Sequence, residues 1–299
     1  MPRATLLDLA KLNPDQLVQG IIEESILTAP ELKVAQARFI PGTEYRTIVR
    51  TGLPPTSFRD ANEGVDATKS TFENRPCRCH ILAARVEVDL AIADAFVDGP
   101  ASYQAIETVG VMESALRKAC YQMYYGTDAD AKGFPGLIAS YDADNKTVDA
   151  GGAAAKTSVW FVKFGERDVQ FVLGENTVLH MSPWRVESLD DDNGKKFPGY
   201  VADLTTWIGL QFVNKHSAVR IKNIGTATGS TMNDDLAFEA LTKFPAGITP
   251  DYCFMNRRTL EQLRRSRTHV TSPTGVPTLP DNVGGIPIVI TDSIVNTEA

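Results

Sequence analysis

Asp98–Gly126 reads DGPASYQAIETVGVMESALRKACYQMYYG, and this stretch decides the fold. Asp98 has the side chain of a helix N-cap, and Pro100 falls where a first-turn proline is tolerated. Apolar residues recur at Ile106, Val109, Met112, Leu116, Cys120 and Met123, with Ala105, Ala115 and Ala119 beside them. That three-four spacing predicts a buried stripe on one long helix. Glu113 and Arg117 stand four apart in the favourable orientation. At ~1.5 Å per residue the helix spans roughly 35–40 Å, the length of a strut. Gly126 ends it, and Gly133-Phe134-Pro135-Gly136 prevents a restart.

Outward from the strut, the chain falls into segments. Residues 1–40 predict an arm with short helical pieces, Thr5 to Leu12 and Gln16 to Ile26, interrupted by Pro14 and Pro30. So apolar an arm needs a surface to lie on, its own core or a neighbour's. Residues 41–90 predict a long hairpin and lead-in. Thr43 to Thr51 alternates, with Tyr45, Thr47 and Val49 on one face and Arg46, Ile48 and Arg50 on the other. The chain returns through Cys77 to Val88 after a polar connection of about 20 residues, a length usually tied to function. Glu87 to Phe96 leads into the strut.

Asp142 to Lys156 reads as a loop. Strands follow at Ser158–Lys163 and Val169–Leu173 around Gly165-Glu166-Arg167. Others fall at Trp184–Ser188 and Tyr200–Leu204 around an acidic tip, then at Thr206–Val213 and Ala218–Ile224. A helix capped by Asn233 covers Met232 to Phe244. A strand at Asp251–Met255, a helix from the cap Asn256 to about Arg267, and a strand at Gly285–Thr291 that reads as fully buried form a small α/β unit.

Composition narrows the function. With 299 residues there is room for one large or two smaller domains, and 43% hydrophobic with 22% charged residues is ordinary for a globular chain. A net charge of -7 argues against a generic polyanion binder. Four cysteines, Cys77, Cys79, Cys120 and Cys253, imply no disulfide framework. No apolar run is long enough to cross a bilayer, so no membrane partner is expected.

Candidate chemistry is sparse. Cys77-Arg78-Cys79-His80 puts two thiols on one strand face without a second ligand pair, so alternating strand packing is the expectation and no metal is assigned. Leu189-Asp190-Asp191-Asp192-Asn193-Gly194 lacks the first ligand and the terminal Glu of a calcium loop; it reads as an exposed hairpin tip. Arg257, Arg258, Arg264, Arg265 and Arg267 crowd one helix. That is either a solvated face with local carboxylates or a contact with another subunit or nucleic acid. No cofactor fingerprint and no catalytic constellation occur. The remaining enzymatic alternative is a cysteine-dependent hydrolase using Cys253 or Cys79.

The order of parts resembles the major capsid proteins of tailed bacteriophages, whose fold is shared with encapsulins and herpesvirus capsid floors. The quoted helix carries the resemblance, together with Gly133-Phe134-Pro135-Gly136-Leu137, Ser158-Val159-Trp160, Thr206 to Gln211, Phe254 to Leu263 and Gly285 to Val289. It implies an α+β fold: N-terminal arm 1–40, extended hairpin loop 41–90, peripheral domain 91–225 with spine helix 100–125, and axial domain 226–299. It also implies self-assembly into pentamers and hexamers of an icosahedral shell that packages double-stranded DNA, with no enzymatic role. A separate scaffolding protein, a portal protein and a decoration protein are the partners it implies, and the virion, with host cytoplasm during assembly, is the implied location. Arg46, Arg50, Arg59 and Glu63 of the hairpin would contact neighbouring subunits. Arg257, Arg258, Arg264 and Arg265 would serve contacts around the capsomer axis. An encapsulin-like compartment is the alternative on the same fold.

Overall fold

The computed structural model describes residues 29–141, 146–176, 179–267 and 279–298. The helical pieces expected at 5–12 and 16–26 lie outside them. In chain order the elements are α1 (Glu31–Val34), β1 (Ala37–Phe39), β2 (Glu44–Gly52), β3 (Thr71–Arg78), β4 (His80–Asp89), α2 (Leu90–Asp94) and α3 (Pro100–Tyr125). After α3 come α4 (Leu137–Tyr141), β5 (Thr147–Asp149), β6 (Thr157–Val162), β7 (Val169–Leu173), β8 (His180–Met181), β9 (Arg185–Asp190) and β10 (Lys196–Phe212). The last are β11 (Ala218–Ile224), α5 (Asp234–Thr242), β12 (Tyr252–Met255), α6 (Arg257–Arg267), β13 (Asn282–Val283) and β14 (Ile286–Ile290).

The long helix α3 forms with the bounds expected of the spine helix, but its cap is Gly99 rather than Asp98. Gly99 takes φ 83°, a conformation that costs glycine little and that carries the chain into Pro100. At the other end Gly126 has φ 56°, and a Cβ there would stand 2.1 Å from the Gly136 nitrogen. The glycine-rich exit therefore folds back on the helix end backbone to backbone. The expected stripe divides. Ala115, Ala119, Cys120, Met123 and Tyr124 are buried, whereas Val109 is 53% exposed and Leu116 also faces outward. The first half of α3 packs through Tyr103 and Ile106 on a smaller cluster that holds Val86, Val88, Ile92, Ala93, Phe96, Trp184 and Tyr200. No Glu113–Arg117 ion pair occurs among the described residues.

Strands sort into two six-stranded sheets and a two-stranded ribbon among the described residues. In the first sheet β10 is the axis. It pairs β4 antiparallel from Gly199↔Asp89 to Ile208↔His80, β9 along its first part and β7 along its last. The strands expected at Tyr200–Leu204 and Thr206–Val213 are thus one strand; Thr205 and Thr206 pair Ala83 and Leu82 without interruption. Gly209 lets β10 pass the root of the ribbon, since a Cβ there would lie 2.5 Å from the Arg78 carbonyl oxygen.

In the second sheet the order is β13-β14-β12-β6-β11-β5. Every residue of β6 is buried, which a strand covered on both faces requires. Val159 and Phe161 join Met232, Ala237, Ala240, Leu260 and Leu263 beneath α5 and α6. Trp160 and Val162 join Met123, Tyr124 and Phe254 beneath the end of α3. Three readings are corrected here. β6 and β7 belong to different sheets instead of forming a hairpin, because β6 is a central strand. β5 forms inside the stretch expected to be a loop. β14 is only half covered, with Pro287 exposed at the strand edge. The sheet also spans the boundary drawn at residue 226, taking β5, β6 and β11 from before it.

Asn233 and Asn256 cap α5 and α6, accepting from Leu236 N at 2.8 Å and Thr259 N at 3.0 Å. Each such cap contributes about 1 kcal/mol. The described part of the arm lies on its own chain. β1 pairs β7 in parallel, and the fully buried Glu31 accepts a hydrogen bond from Thr291. Near the other end Glu298 accepts from Tyr125 Oη at 2.7 Å and Ser158 Oγ at 2.7 Å and pairs with Arg220 at 3.0 Å, both charged side chains being nearly buried.

All four cysteines are buried and unpaired. Cys77 and Cys79 sit with Ile40 and Val172, and their thiols donate to the carbonyls of Leu210 and Val172 at 3.6 and 3.8 Å. Burial pushes the Cys77 thiol up to about 12, and raises Cys253 further.

Two outcomes follow from this packing. Glu298→Ala removes one member of a nearly buried, hydrogen-bonded ion pair with Arg220 and costs about 3–5 kcal/mol; thermal unfolding of the isolated subunit checks it, and an unchanged midpoint refutes it. Iodoacetamide at neutral pH leaves Cys253 unlabelled in the folded subunit and labels it in denaturant, as read by mass spectrometry.

Candidate assembly interface

The ribbon of β2 and β3 starts where β4 leaves the first sheet. Glu44 pairs Arg78, Arg46 pairs Pro76, Ile48 pairs Asn74 and Arg50 pairs Phe72. Paired residues share a face, so strand alternation makes two surfaces. One holds Tyr45 and Cys77 and is turned to the body: Cys79 N donates to Thr43 O at 2.8 Å, and Arg75 Nη1 donates to Val213 O at 2.8 Å. Burial among these neighbours raises the Tyr45 hydroxyl to about 12. The other surface presents Arg46, Ile48, Arg50 and Phe72 to solvent, with Ile48 71% and Phe72 59% exposed. The Arg50 guanidinium lies 5.4 Å from the Phe72 ring centroid, so its charge is held beside an apolar plate.

Between the strands, residues 55–69 are exposed throughout. Here the structure brings two of the expected interface residues together. Arg59 Nη1 donates to Glu63 O at 2.7 Å, and Glu63 Oε2 accepts from Asp60 N at 3.2 Å. These two residues organise a turn within the connection, and their backbone partners are local.

The arginines of α6 are mostly engaged within the chain. Glu261 takes Arg264 Nε at 2.7 Å and Arg265 Nε at 2.9 Å, one helical turn away, and these bonds hold its carboxyl at about 2. Arg267 pairs with Asp234 on α5, and Arg258 donates to Ala155 O at 2.6 Å. Arg257, the first residue of the helix, is exposed. Of the two readings of this cluster, local carboxylate partners account for Arg264, Arg265 and Arg267.

Sequence reasoning missed a network on the first sheet. Arg85 meets Glu87 at 2.8 Å and Glu187 at 2.9 Å; Arg185 meets Glu187 and Asp203 at 2.5 Å each. It joins three adjacent strands, β4, β10 and β9, whose register no local pattern displays. The acidic tip is the turn it was expected to be: Asp191 Oδ1 accepts from Asn193 N at 2.8 Å and Lys195 N at 2.7 Å.

The surfaces most exposed are therefore an arginine and apolar face on a projecting ribbon, and the outer side of the first half of α3. Both leave apolar side chains in contact with solvent, and neither encloses a reactive group.

A chain from the structure of bacteriophage Epsilon15 is 20% identical, covers 100% of this chain and 97% of its own length, and superposes with a TM-score of 0.74. A capsid chain of the native GTA particle is 10% identical over 71% of this chain and 96% of that one, with a TM-score of 0.50. A chain of the holo-SrpI encapsulin complex from Synechococcus elongatus is 10% identical over 75% of this chain and 96% of that one, at 0.47. No curated protein sequence matches. The first two likenesses establish the fold. The family model described as major capsid protein GP7 matches residues 31–299, which takes in all of both sheets, the ribbon and the long helix. The chain belongs to the major capsid protein GP7 family.

Proposed function

We propose that copies of this chain form pentamers and hexamers that close into an icosahedral shell around double-stranded DNA. The observation that carries this is the ribbon. A two-stranded hairpin is at best marginally stable in water. Here it nevertheless extends beyond its own body with Ile48, Phe72, Leu53 and Phe58 exposed. A second copy lying under residues 41–75 would cover those side chains. Permanent interfaces bury on the order of 2,000 Å² or more, and several per subunit give strong assembly from modest contacts.

In this reading the second sheet with α5 and α6 is the axial body at the capsomer centre, where the exposed Arg257 is the free member of its arginine cluster. The spine helix links that body to the peripheral sheet. Contact with the packaged genome is weak and addressed to phosphates, in keeping with the net charge of -7. A separate scaffolding protein, a portal and decoration proteins are the heterologous partners. Assembly is the role, and turnover is not. The full burial of Cys253 supports this against the hydrolase alternative.

Deletion of residues 53–66 yields a folded subunit, with unchanged circular dichroism, that forms no closed shells by negative-stain microscopy. Normal particles from that deletion refute the ribbon's role. Particles filled with protein instead of DNA favour the encapsulin-like compartment.

A further inference from the structure

The subunit keeps opposite charges at opposite ends of its first sheet. Beside the outer part of the ribbon strands, where Arg75 reaches Val213, lies a cleft lined by Arg50, Arg75, Lys215 and His216, with Val49 and Val213 among its walls and no carboxylate in its lining. Glu73 touches Arg75 at 3.4 Å from outside it, and the nearby buried Asp168 is taken up by Ser217 and Asn214. Lys146 adds its charge from the adjoining loop. The excess of positive charge registers on His216, whose basicity is lowered by burial and then by Lys146 and Lys215. Its Nδ1 is buried without a hydrogen-bond partner.

The other pole is acidic. From Val86 to Leu116 the chain carries Glu87, Asp89, Asp94, Asp98, Glu107 and Glu113 and no lysine, arginine or histidine. Glu87 is engaged by Arg85, and Asp89 caps α2 through Ala91 N at 2.8 Å. Asp94 and Asp98 are exposed, with Val97 between them 75% exposed. This mixture of carboxylates and an apolar knob matches the mixture of cations and apolar plates beside the cleft.

The two poles cannot meet within one chain. Asp89, where the acidic segment begins, is opposite Gly199, while the cleft follows Phe212 at the far end of the same strand. Thirteen residues of strand at about 3.3 Å each set them roughly 40 Å apart. We propose that the cleft of one subunit receives the Asp94–Asp98 segment of a second copy, in a head-to-tail contact repeated around the capsomer. Different patches on the two sides make this contact heterologous, and heterologous contacts close into rings when the rotation per subunit allows. Like charges brought together in any other register are penalised by several kcal/mol, so the two poles also set the order of subunits. This rests on the shell reading above and names which surfaces of the two copies meet.

Charge reversal tests it. Arg50→Glu with Lys215→Glu reverses the cleft; Asp94→Lys with Asp98→Lys reverses the segment. Each pair, folded by circular dichroism, is expected to lower the yield of assembled rings and shells at least tenfold by sedimentation. All four substitutions in one chain restore it, because every cleft again meets an opposite charge. Mixing the two pair variants restores six-membered rings, in which copies alternate, and does not restore five-membered ones, in which they cannot. If wild-type chains assemble and either pair variant assembles equally well, the contact is wrong while the shell reading stands. The same holds if the fourfold variant stays as impaired as the pairs. Wild-type chains that remain monomeric at all concentrations overturn both. Assembly retained with loss of bound DNA assigns the cleft to phosphates and overturns the contact.

Discussion

Everything in the fold depends on the last turns of the spine helix being pressed onto the second sheet. The Tyr124 ring lies 6.4 Å from Trp160, tilted, and 6.2 Å from Phe254, edge to face, ring centroid to ring centroid, and all three are fully buried. The strand β6 that carries Trp160 presents its alternate residues, Val159 and Phe161, to α5 and α6 on the opposite face. One strand therefore joins the helix on one side to the axial body on the other. Large aromatic side chains in such a place contribute several kcal/mol each, and truncating them opens cavities that rigid neighbours fill only in part. The buried Glu298 carboxylate is held at this same junction by Tyr125, Ser158 and Arg220. Hydrophobic and charged contacts thus converge where three segments distant in sequence meet.

Away from that junction the subunit changes character. The first half of the spine helix and the ribbon have few neighbours of their own, and their apolar side chains stay in contact with water. A surface of this kind is costly for a solitary protein and favours covering by a partner. Because the core is already complete, a partner covering Ile48, Phe72, Val97 and Val109 would not have to rearrange it.

Much of this was legible in the sequence wherever a short period or a turn residue decides the outcome. The spine helix, its glycine exit, the asparagine caps of α5 and α6, the strands Val169–Leu173 and Ala218–Ile224 and the acidic turn all follow from local rules. The resemblance in the order of these parts pointed to the family. Pairing was not legible. That β6 leaves β7 for another sheet depends on burial of both its faces, which an apolar run does not reveal. That Val109 is exposed depends on which face of the helix the first sheet takes: Tyr103 and Ile106 pack against Val86, Val88 and Tyr200, and Val109 stays in solvent. Helical spacing identifies an apolar stripe, and it cannot say whether the partner is the same chain.

The arginines show the same limit in electrostatic form. Crowding along α6 read either as an interface or as a face with local partners; Glu261 pairs with Arg264 and Arg265, and Asp234 with Arg267, inside one subunit. Arg46, Arg50 and Lys215 are scattered across the sequence and meet no carboxylate in ion-pair range among the described residues. Exposed ion pairs within a chain contribute about 0–1 kcal/mol each and direct nothing outward. Charges left without counterparts act at a distance, steer encounters and penalise wrong registers. Availability for assembly is therefore measured by which charges the fold leaves uncompensated. By that measure the cleft beside the ribbon, lined by Arg50, Arg75, Lys215 and His216, leaves positive charge uncompensated, as does Arg257 at the start of α6.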